Sequence, residues 1–149
     1  MSGTKISVER RSGKMGLDMY AWAVPEDWAV DDETILKEGE GTRPEGEDGR
    51  LNEIFYWRKH HDLHGWVENL YRDRGGGANS FNCVQVRLYP HNLDRLEVDI
   101  RASMLPQTSG FFFGNNPPDE DSIQHDLEFI SKAREAIADG LAVYYDSWW

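Results

Sequence analysis

The sequence predicts an α+β fold: a small, mainly antiparallel or mixed sheet of about four strands with three helices packed on it. The chain has 149 residues, of which 39% are hydrophobic, and this is enough to build the core of one domain. Runs of aromatic and β-branched residues alternate along the chain with runs whose apolar residues repeat at helical spacing. This alternation favours one sheet with the helices covering one of its faces.

Three segments have the composition of strands: residues 17–24 (LDMYAWAV), 81–88 (FNCVQVRL) and 142–149 (AVYYDSWW). In the second segment every other residue from Val84 on is apolar and the residues between them are polar. This pattern predicts one buried side and one solvent-facing side. Residues 53–59 (EIFYWRK) fit either a short strand or the approach to a helix.

Three further segments have helical periodicity. Residues 63–71 carry one apolar stripe, and residues 119–139 carry another that ends at Gly140, a typical residue after a helix. A third, shorter helix is expected to start with Asn92 as its N-cap and to break near Pro106. The residues predicted to face the core are Leu63, Trp66, Val67, Leu70, Tyr71, Leu93, Leu96, Ile100, Ile123, Leu127, Ile130 and Ile137.

Two parts of the chain are expected to add little to the core. Residues 1–14 have no apolar period and are interpreted as an N-terminal extension of a single domain over residues 15–149. An acidic loop is predicted at about residues 25–52, because residues 31–48 hold eight carboxylates and are rich in glycine.

The overall charge narrows the classes of partner. The formal net charge is −11, which argues against general nucleic-acid binding, since such binding depends on clustered Lys and Arg. An acidic protein that binds proteins or imitates nucleic acid stays an alternative. The sequence has no run of about 20 apolar residues and no signal peptide, so we expect no membrane insertion and a cytoplasmic location in the host cell.

The densest group of chemically active residues lies between positions 56 and 66. Arg58 and Lys59 can donate to a phosphate or carboxylate, and Trp57 and Trp66 can offer flat faces to a base or ring. The alternative is that both indoles belong to the core while both cations extend into solvent.

A second motif has the composition of a ligand site. Thr108, Ser109 and Gly110 come just before three phenylalanines with Phe112 at their centre, in a run that suits a strand or a tight turn. Hydroxyl groups and a glycine beside aromatic rings are typical of places where the backbone approaches a small ligand. We expect the two motifs to converge on an anionic ligand that bears a ring, with His64 as the best candidate for an acid or base.

His60 and His64 are one helical turn apart, the spacing of two zinc ligands on a helix. The metalloprotease signature requires Glu directly after the first His, and this chain has His61 there. A hydrogen-bonded structural role is commoner for such a histidine, so no metal or other cofactor is expected.

Several motifs together resemble a known group of proteins. GLDMY at residues 16–20, YWRK followed by LHGW within 56–66, TSGFFFG at 108–114 and the closing aromatic strand are similar to a family of small proteins encoded by phages and prophages. The resemblance implies a phage accessory protein, and chains of this family usually begin at the Met before GLDMY, here Met15. Members often carry the label phosphoglycerate kinase.

The residues do not support that kinase activity. Phosphoglycerate kinases are much longer two-domain enzymes, and the chain lacks the G-x-x-x-x-G-K-[ST] loop that other phosphate-binding proteins use. Residues 75–77 are three glycines that follow a helix instead of joining a strand to a helix, which predicts a turn.

Three hypotheses follow from the sequence. The first is a phage accessory protein that binds a small anionic, nucleotide-like ligand or a host protein and so alters host metabolism or defence. The second is an enzyme acting on a nucleotide or a phosphorylated metabolite. The third is an acidic module that binds protein or mimics nucleic acid.

Overall fold

A computed structural model describes residues 16–29, 52–106 and 120–149, and within these ranges the chain forms four strands and three α-helices, besides one 3-10 turn at Glu26–Trp28. In chain order these are β1 (Asp18–Pro25), β2 (Asn52–Arg58), α1 (His61–Asp73), β3 (Val86–Leu88), α2 (Pro90–Arg101), α3 (Glu120–Ala138) and β4 (Leu141–Trp148). The predicted α+β class is confirmed, with a four-stranded antiparallel sheet and three helices packed against it. The predicted extension, most of the acidic loop and the 108–114 motif lie outside the described residues.

The strands follow the order β2-β1-β4-β3, and every neighbouring pair is antiparallel. The two central strands pair along their whole length, from Asp18 opposite Trp148 to Pro25 opposite Leu141. The start of β1 therefore lies beside the end of β4, although the two are far apart in sequence. No helix in the described ranges is long and apolar enough to cross a membrane.

The core lies between one face of the sheet and the three helices. Small and large side chains alternate across the central strands, so that Ala21 lies opposite the fully buried Tyr145 and Ala23 opposite Val143. The helices contribute the apolar stripes that the sequence predicted, including Leu63 and Val67 of α1, Leu93, Leu96 and Ile100 of α2, and Ile130 of α3. Full burial of one such side chain contributes about 1.5–3 kcal/mol, which explains why the helices pack on the sheet.

The end of α1 depends on a close approach between backbone and ring. A Cβ atom placed on Gly76 would lie only 2.2 Å from the ring of Tyr71, so this position accepts no side chain without movement of the ring. The Tyr71 hydroxyl also accepts a hydrogen bond from the backbone N–H of Ala78 at 3.1 Å. The glycine segment thus forms an ordered turn, which leads the chain back toward the sheet at Phe81.

The predicted strand over residues 81–88 is wrong for its first five residues, since only Val86–Leu88 are in the sheet. Cys83 has a φ of 64°, in the left-handed region, and this interrupts an extended chain. Its backbone N–H donates instead to the carbonyl of Ser147 at 2.9 Å. Gln85 is 1% exposed, so the predicted solvent-facing side is wrong at that position as well.

The structure also decides the limits of two other elements, β2 and α2. Residues 53–59, which the sequence left undecided, belong mostly to strand β2. Asn92 is not the N-cap of α2, because Tyr89 precedes the helix and Asn92 lies three residues further on. The side-chain oxygen of Asn92 accepts from the backbone N–H of Tyr89 at 2.8 Å, so it stabilises the first turn from inside the helix.

A buried carboxylate joins the end of β2 to helix α3. Asp126, 4% exposed, accepts hydrogen bonds from the indole of Trp57 at 3.3 Å and from the ring of His60 at 2.9 Å. The other ring nitrogen of His60 accepts from the backbone N–H of Leu63 at 3.4 Å, which caps α1. One carboxylate therefore holds both the strand and the start of the next helix.

We expect the substitution Asp126→Ala to lower the free energy of unfolding by about 2–3 kcal/mol, because it leaves two donors at this junction without their acceptor. Urea denaturation followed by circular dichroism measures the loss. The control is Asp94→Ala, which removes an exposed ion pair with Arg134 and should cost less than about 1 kcal/mol. Equal losses in the two variants would contradict the structural role of Asp126.

Candidate ligand-binding cavity

A cavity of about 870 Å³ opens where the start of β1 and the end of β4 meet helix α1. This volume is within the range typical of small-molecule sites. Its walls come from Gly16 and Leu17, the turn after β2, one face of α1, residues 79–81, and Trp149. The antiparallel pairing of β1 with β4 brings the first and last of these walls together.

Helix α1 presents a continuous face to the cavity. His61, His64, Gly65 and Glu68 line it, and their spacing of three and four residues places them on one side of the helix. Gly65 is buried and adds no side chain, which leaves room beside the imidazole of His64. Another face of α1, which carries Leu63, Val67 and Tyr71, packs into the core.

His64 is held by the central strand β4. Its Nδ1 lies 2.5 Å from the hydroxyl oxygen of Tyr145, which is 1% exposed. The imidazole centroid is 5.0 Å from that of the Phe81 ring and 6.4 Å from that of Trp149. The catalytic candidate of the sequence thus sits in an aromatic wall of the cavity.

Burial sets the proton state of this pair. Desolvation lowers the pKa of His64 to about 4, and the neighbouring Glu68 carboxylate opposes the shift only in part. Desolvation likewise raises the pKa of Tyr145 well above its usual value. At neutral pH the imidazole is therefore uncharged and the phenol keeps its proton, so that the hydroxyl can donate to Nδ1.

The side chains of Arg58 and Lys59 both lie close to Gly16, at the mouth of the cavity. A Cβ atom on Gly16 would lie 3.1 Å from Nη2 of Arg58 and 3.7 Å from Cε of Lys59. Arg58 is also 3.9 Å from a carboxylate oxygen of the buried Asp18, which in turn accepts from the hydroxyl of Tyr56 at 2.6 Å. Lys59 is exposed and forms no ion pair with the described residues.

Lys59 has an unusual backbone conformation, with a φ of 58°. Left-handed geometry costs a residue with a side chain roughly 1–2 kcal/mol and glycine almost nothing. The conformation turns the chain from β2 toward α1 while the backbone N–H of Lys59 donates to the carbonyl of Leu17 at 2.7 Å. A lysine thus occupies a position that glycine would fill with less strain.

Trp149 forms a wall that is fixed by the loop before β3. Its indole donates to the carbonyl of Phe81 at 3.1 Å, and its backbone N–H and carbonyl bond with the side chain of Asn82, each at 2.9 Å. Trp149 as a whole remains 54% exposed. An exposed ring held in one place is suited to contact with a flat ligand.

The two tryptophans predicted to contact ligand do not line the cavity. Trp57 is 3% exposed and packs in the core, where its indole donates to Asp126. Trp66 donates to Asp99 at 2.8 Å and so ties α1 to α2. The structure brings Lys59 and His64 into the lining and Arg58 to its edge. The remaining predicted residues, Thr108, Ser109, Gly110 and Phe112, lie outside the described residues.

The two histidines considered as a metal pair have different partners. His60 uses both ring nitrogens, one toward Asp126 and one toward the Leu63 backbone, whereas His64 faces Tyr145. Within residues 16–29, 52–106 and 120–149, no three His, Cys, Asp or Glu side chains are grouped as a metal site would require.

Sequence inspection missed several cavity residues. Glu68 could have been found from the helical face that carries His64, because it lies four residues further along α1. Phe81 and Trp149 have no such local signal. Phe81 is brought to His64 by the turn after α1, and Trp149 is brought there by the register of β4.

The lowered pKa of His64 predicts a specific pH dependence of stability. Above about pH 6.5 the imidazole is neutral in both the folded and the unfolded chain and has no effect. As the pH falls from 6.5 to about 4, the unfolded chain binds a proton that the folded one does not, so the free energy of unfolding decreases. We expect the wild type to lose about 1–2 kcal/mol more than His64→Gln between pH 7 and pH 5 in urea denaturation.

The matched control is His91→Gln, since His91 is exposed on α2 and its substitution should leave the pH dependence of the wild type unchanged. Parallel stability curves for the wild type and His64→Gln would show that the buried imidazole is not held neutral by the fold.

Comparisons with protein-family models, curated proteins and solved structures gave no match to this chain. Its function is therefore inferred from the geometry and charge of the cavity.

Proposed function

We propose that this chain is a phage accessory protein of the host cytoplasm that binds a small anionic ligand with an aromatic ring, such as a nucleotide, in the cavity beside His64. The observation that carries the proposal is the strained, left-handed backbone of Lys59, which places a cation at the cavity mouth. Strained backbone geometry is concentrated at functional sites, where the position of the side chain compensates for its cost.

The cations explain why an anion would bind to a protein whose net charge is −11. Arg58 and Lys59 both approach Gly16, which has no side chain to separate them from the mouth. Together they form a local positive patch, and a phosphate there would gain charge-assisted hydrogen bonds. Arg58 is partly engaged by Asp18, so Lys59 is the cation more available to a ligand.

The deeper part of the cavity suits a ring. Leu17 and Phe81 are buried and apolar, and the neutral imidazole of His64 continues the same wall. Trp149 adds an exposed aromatic face at the rim. A flat base enclosed by these side chains would replace water with aromatic contacts, each worth about 0.5–1.5 kcal/mol beyond the buried area.

We expect a thermal-shift screen of nucleotides and sugar phosphates to give at least one compound that raises the melting temperature of the wild type. The substitution Lys59→Gly should weaken that compound about tenfold in isothermal titration calorimetry, because it removes one charge-assisted bond. Stability should stay within about 1 kcal/mol, because glycine relieves the left-handed strain but adds freedom to the unfolded chain.

The control is Ser103→Gly, which relieves a φ of 56° at a position outside the cavity and should leave binding unchanged. Arg58→Ala is a less specific test of binding than Lys59→Gly, because it also removes an ion-pair partner of the buried Asp18. If no anionic compound stabilises the wild type, the cavity proposal fails and the protein-binding hypothesis takes its place.

A second candidate function, an enzyme acting on a nucleotide or phosphorylated metabolite, is favoured by the proton state of His64. A neutral imidazole whose Nδ1 accepts a hydrogen bond from Tyr145 carries its own proton on Nε2. It is therefore suited to donate a hydrogen bond to a substrate oxygen that gains negative charge during a reaction. Lys59 at the mouth would hold the negative charge of such a substrate.

This second function predicts turnover of a compound found in the screen, measured by phosphorus NMR or by chromatography of the products. His64→Leu, which removes the N–H donor, should slow the conversion by roughly 10²-fold or more while calorimetry still detects binding. His91→Leu should convert the compound at the wild-type rate. A bound ligand recovered intact after long incubation with the wild type would leave binding as the whole function.

A further inference from the structure

We infer that the cavity selects a nucleotide whose base carries an exocyclic amino group, with Glu68 as the acceptor for that group. This inference rests on the proposed binding function and assigns a specificity-determining residue to it. The structure supports it through the place of Glu68, the distribution of charge along α1, and the bonds that Glu68 already makes.

Glu68 carries the only side-chain carboxylate among the described residues that line the cavity. It lies on the same face of α1 as His64, one turn further from Lys59. A carboxylate accepts hydrogen bonds and donates none, so its partner in a ligand must be an N–H or O–H donor. Repulsion would keep the anionic group of a ligand away from this end and direct it toward Lys59.

The existing bonds of Glu68 leave part of its carboxylate available. Arg72 donates from Nε at 3.3 Å and from Nη2 at 3.1 Å, and both bonds end on Oε2. Among the described residues no hydrogen bond reaches Oε1. Arg72 is in turn anchored by the carbonyl of Ala78 at 2.7 Å, so the carboxylate is held in place at the cavity wall.

The rise of α1 between the two charged residues is comparable with the length of a nucleotide. Lys59 and Glu68 are nine residues apart, and seven of these steps run along α1 from His61, which corresponds to about 10 Å of helix. This is comparable to the distance between the phosphate and the far edge of the base in an extended nucleoside monophosphate. The ring would then lie against His64 and Phe81, between the two charged ends.

The amino group is the feature that a carboxylate recognises. Acidic side chains accept from the exocyclic amine of a base, as with the N4 group of cytosine. A base without this group would leave the carboxylate facing a ligand edge that cannot donate to it, and the unmet acceptor would reduce affinity. Adenine, cytosine and guanine carry such a group, so their nucleotides are the expected ligand class.

The test compares AMP with the 5′-monophosphate of unsubstituted purine riboside, which differs only in lacking the amino group. Calorimetry on the full-length wild type should show AMP binding at least about tenfold more tightly. The substitution Glu68→Met keeps the length of the side chain and removes the acceptor, so the ratio of the two affinities should fall to near one. The ratio is the readout because a general change in charge would alter both affinities together.

The control variant is Glu97→Met on α2. Glu97 pairs with Arg101 four residues later, as Glu68 pairs with Arg72, but it lies outside the cavity. This variant should keep the wild-type preference. Equal affinities of the two nucleotides for the wild type would overturn the role of Glu68 while leaving nucleotide binding intact. If neither bound, binding of a phosphorylated compound without an exocyclic amino group would also overturn it. If GMP bound instead, IMP, which lacks the amino group at position 2, would take the place of the purine riboside nucleotide in the same comparison. If none of these anions bound, the proposed function itself would fail.

Discussion

The pairing of β1 with β4 is the constraint on which the rest of the structure depends. These strands run antiparallel over eight residue pairs at the centre of the sheet, and every helix packs on the face that they share. The pairing also brings Gly16 and Leu17 next to Trp149, at one end of the sheet. Because the cavity opens at that end, the fold and the candidate site have the same physical origin.

The contact between His64 and Tyr145 joins the site to this framework. Tyr145 belongs to the core, where the small side chain of Ala21 lies opposite it, and its hydroxyl reaches the imidazole at the cavity wall. The burial that keeps His64 neutral at physiological pH also makes protonation unfavourable for the fold. Substitution of either side chain therefore changes the packing as well as the cavity wall, and only variants that preserve the packing separate the two effects.

The charge of the cavity is opposite at its two ends, in a protein that is acidic overall. Lys59 lies at the turn before α1, and Glu68 lies on the second half of that helix. Helix α1 therefore separates the lysine end of the cavity from its carboxylate end. Phe81 and Trp149 also line the cavity, and surroundings of low polarity strengthen the electrostatic effect of nearby charges.

The sequence by itself determined the elements whose pattern is local: the stripes of α1 and α3, the two central strands, and the fold class that follows from their order. It also singled out Lys59 and His64 for the candidate site. Tertiary structure decided that Trp57 belongs to the core and that Trp149 lines the cavity, because both depend on contacts between distant segments. Local periodicity reports which side of an element is apolar, but strand register and burial decide which side chains meet and which of them keep their charge.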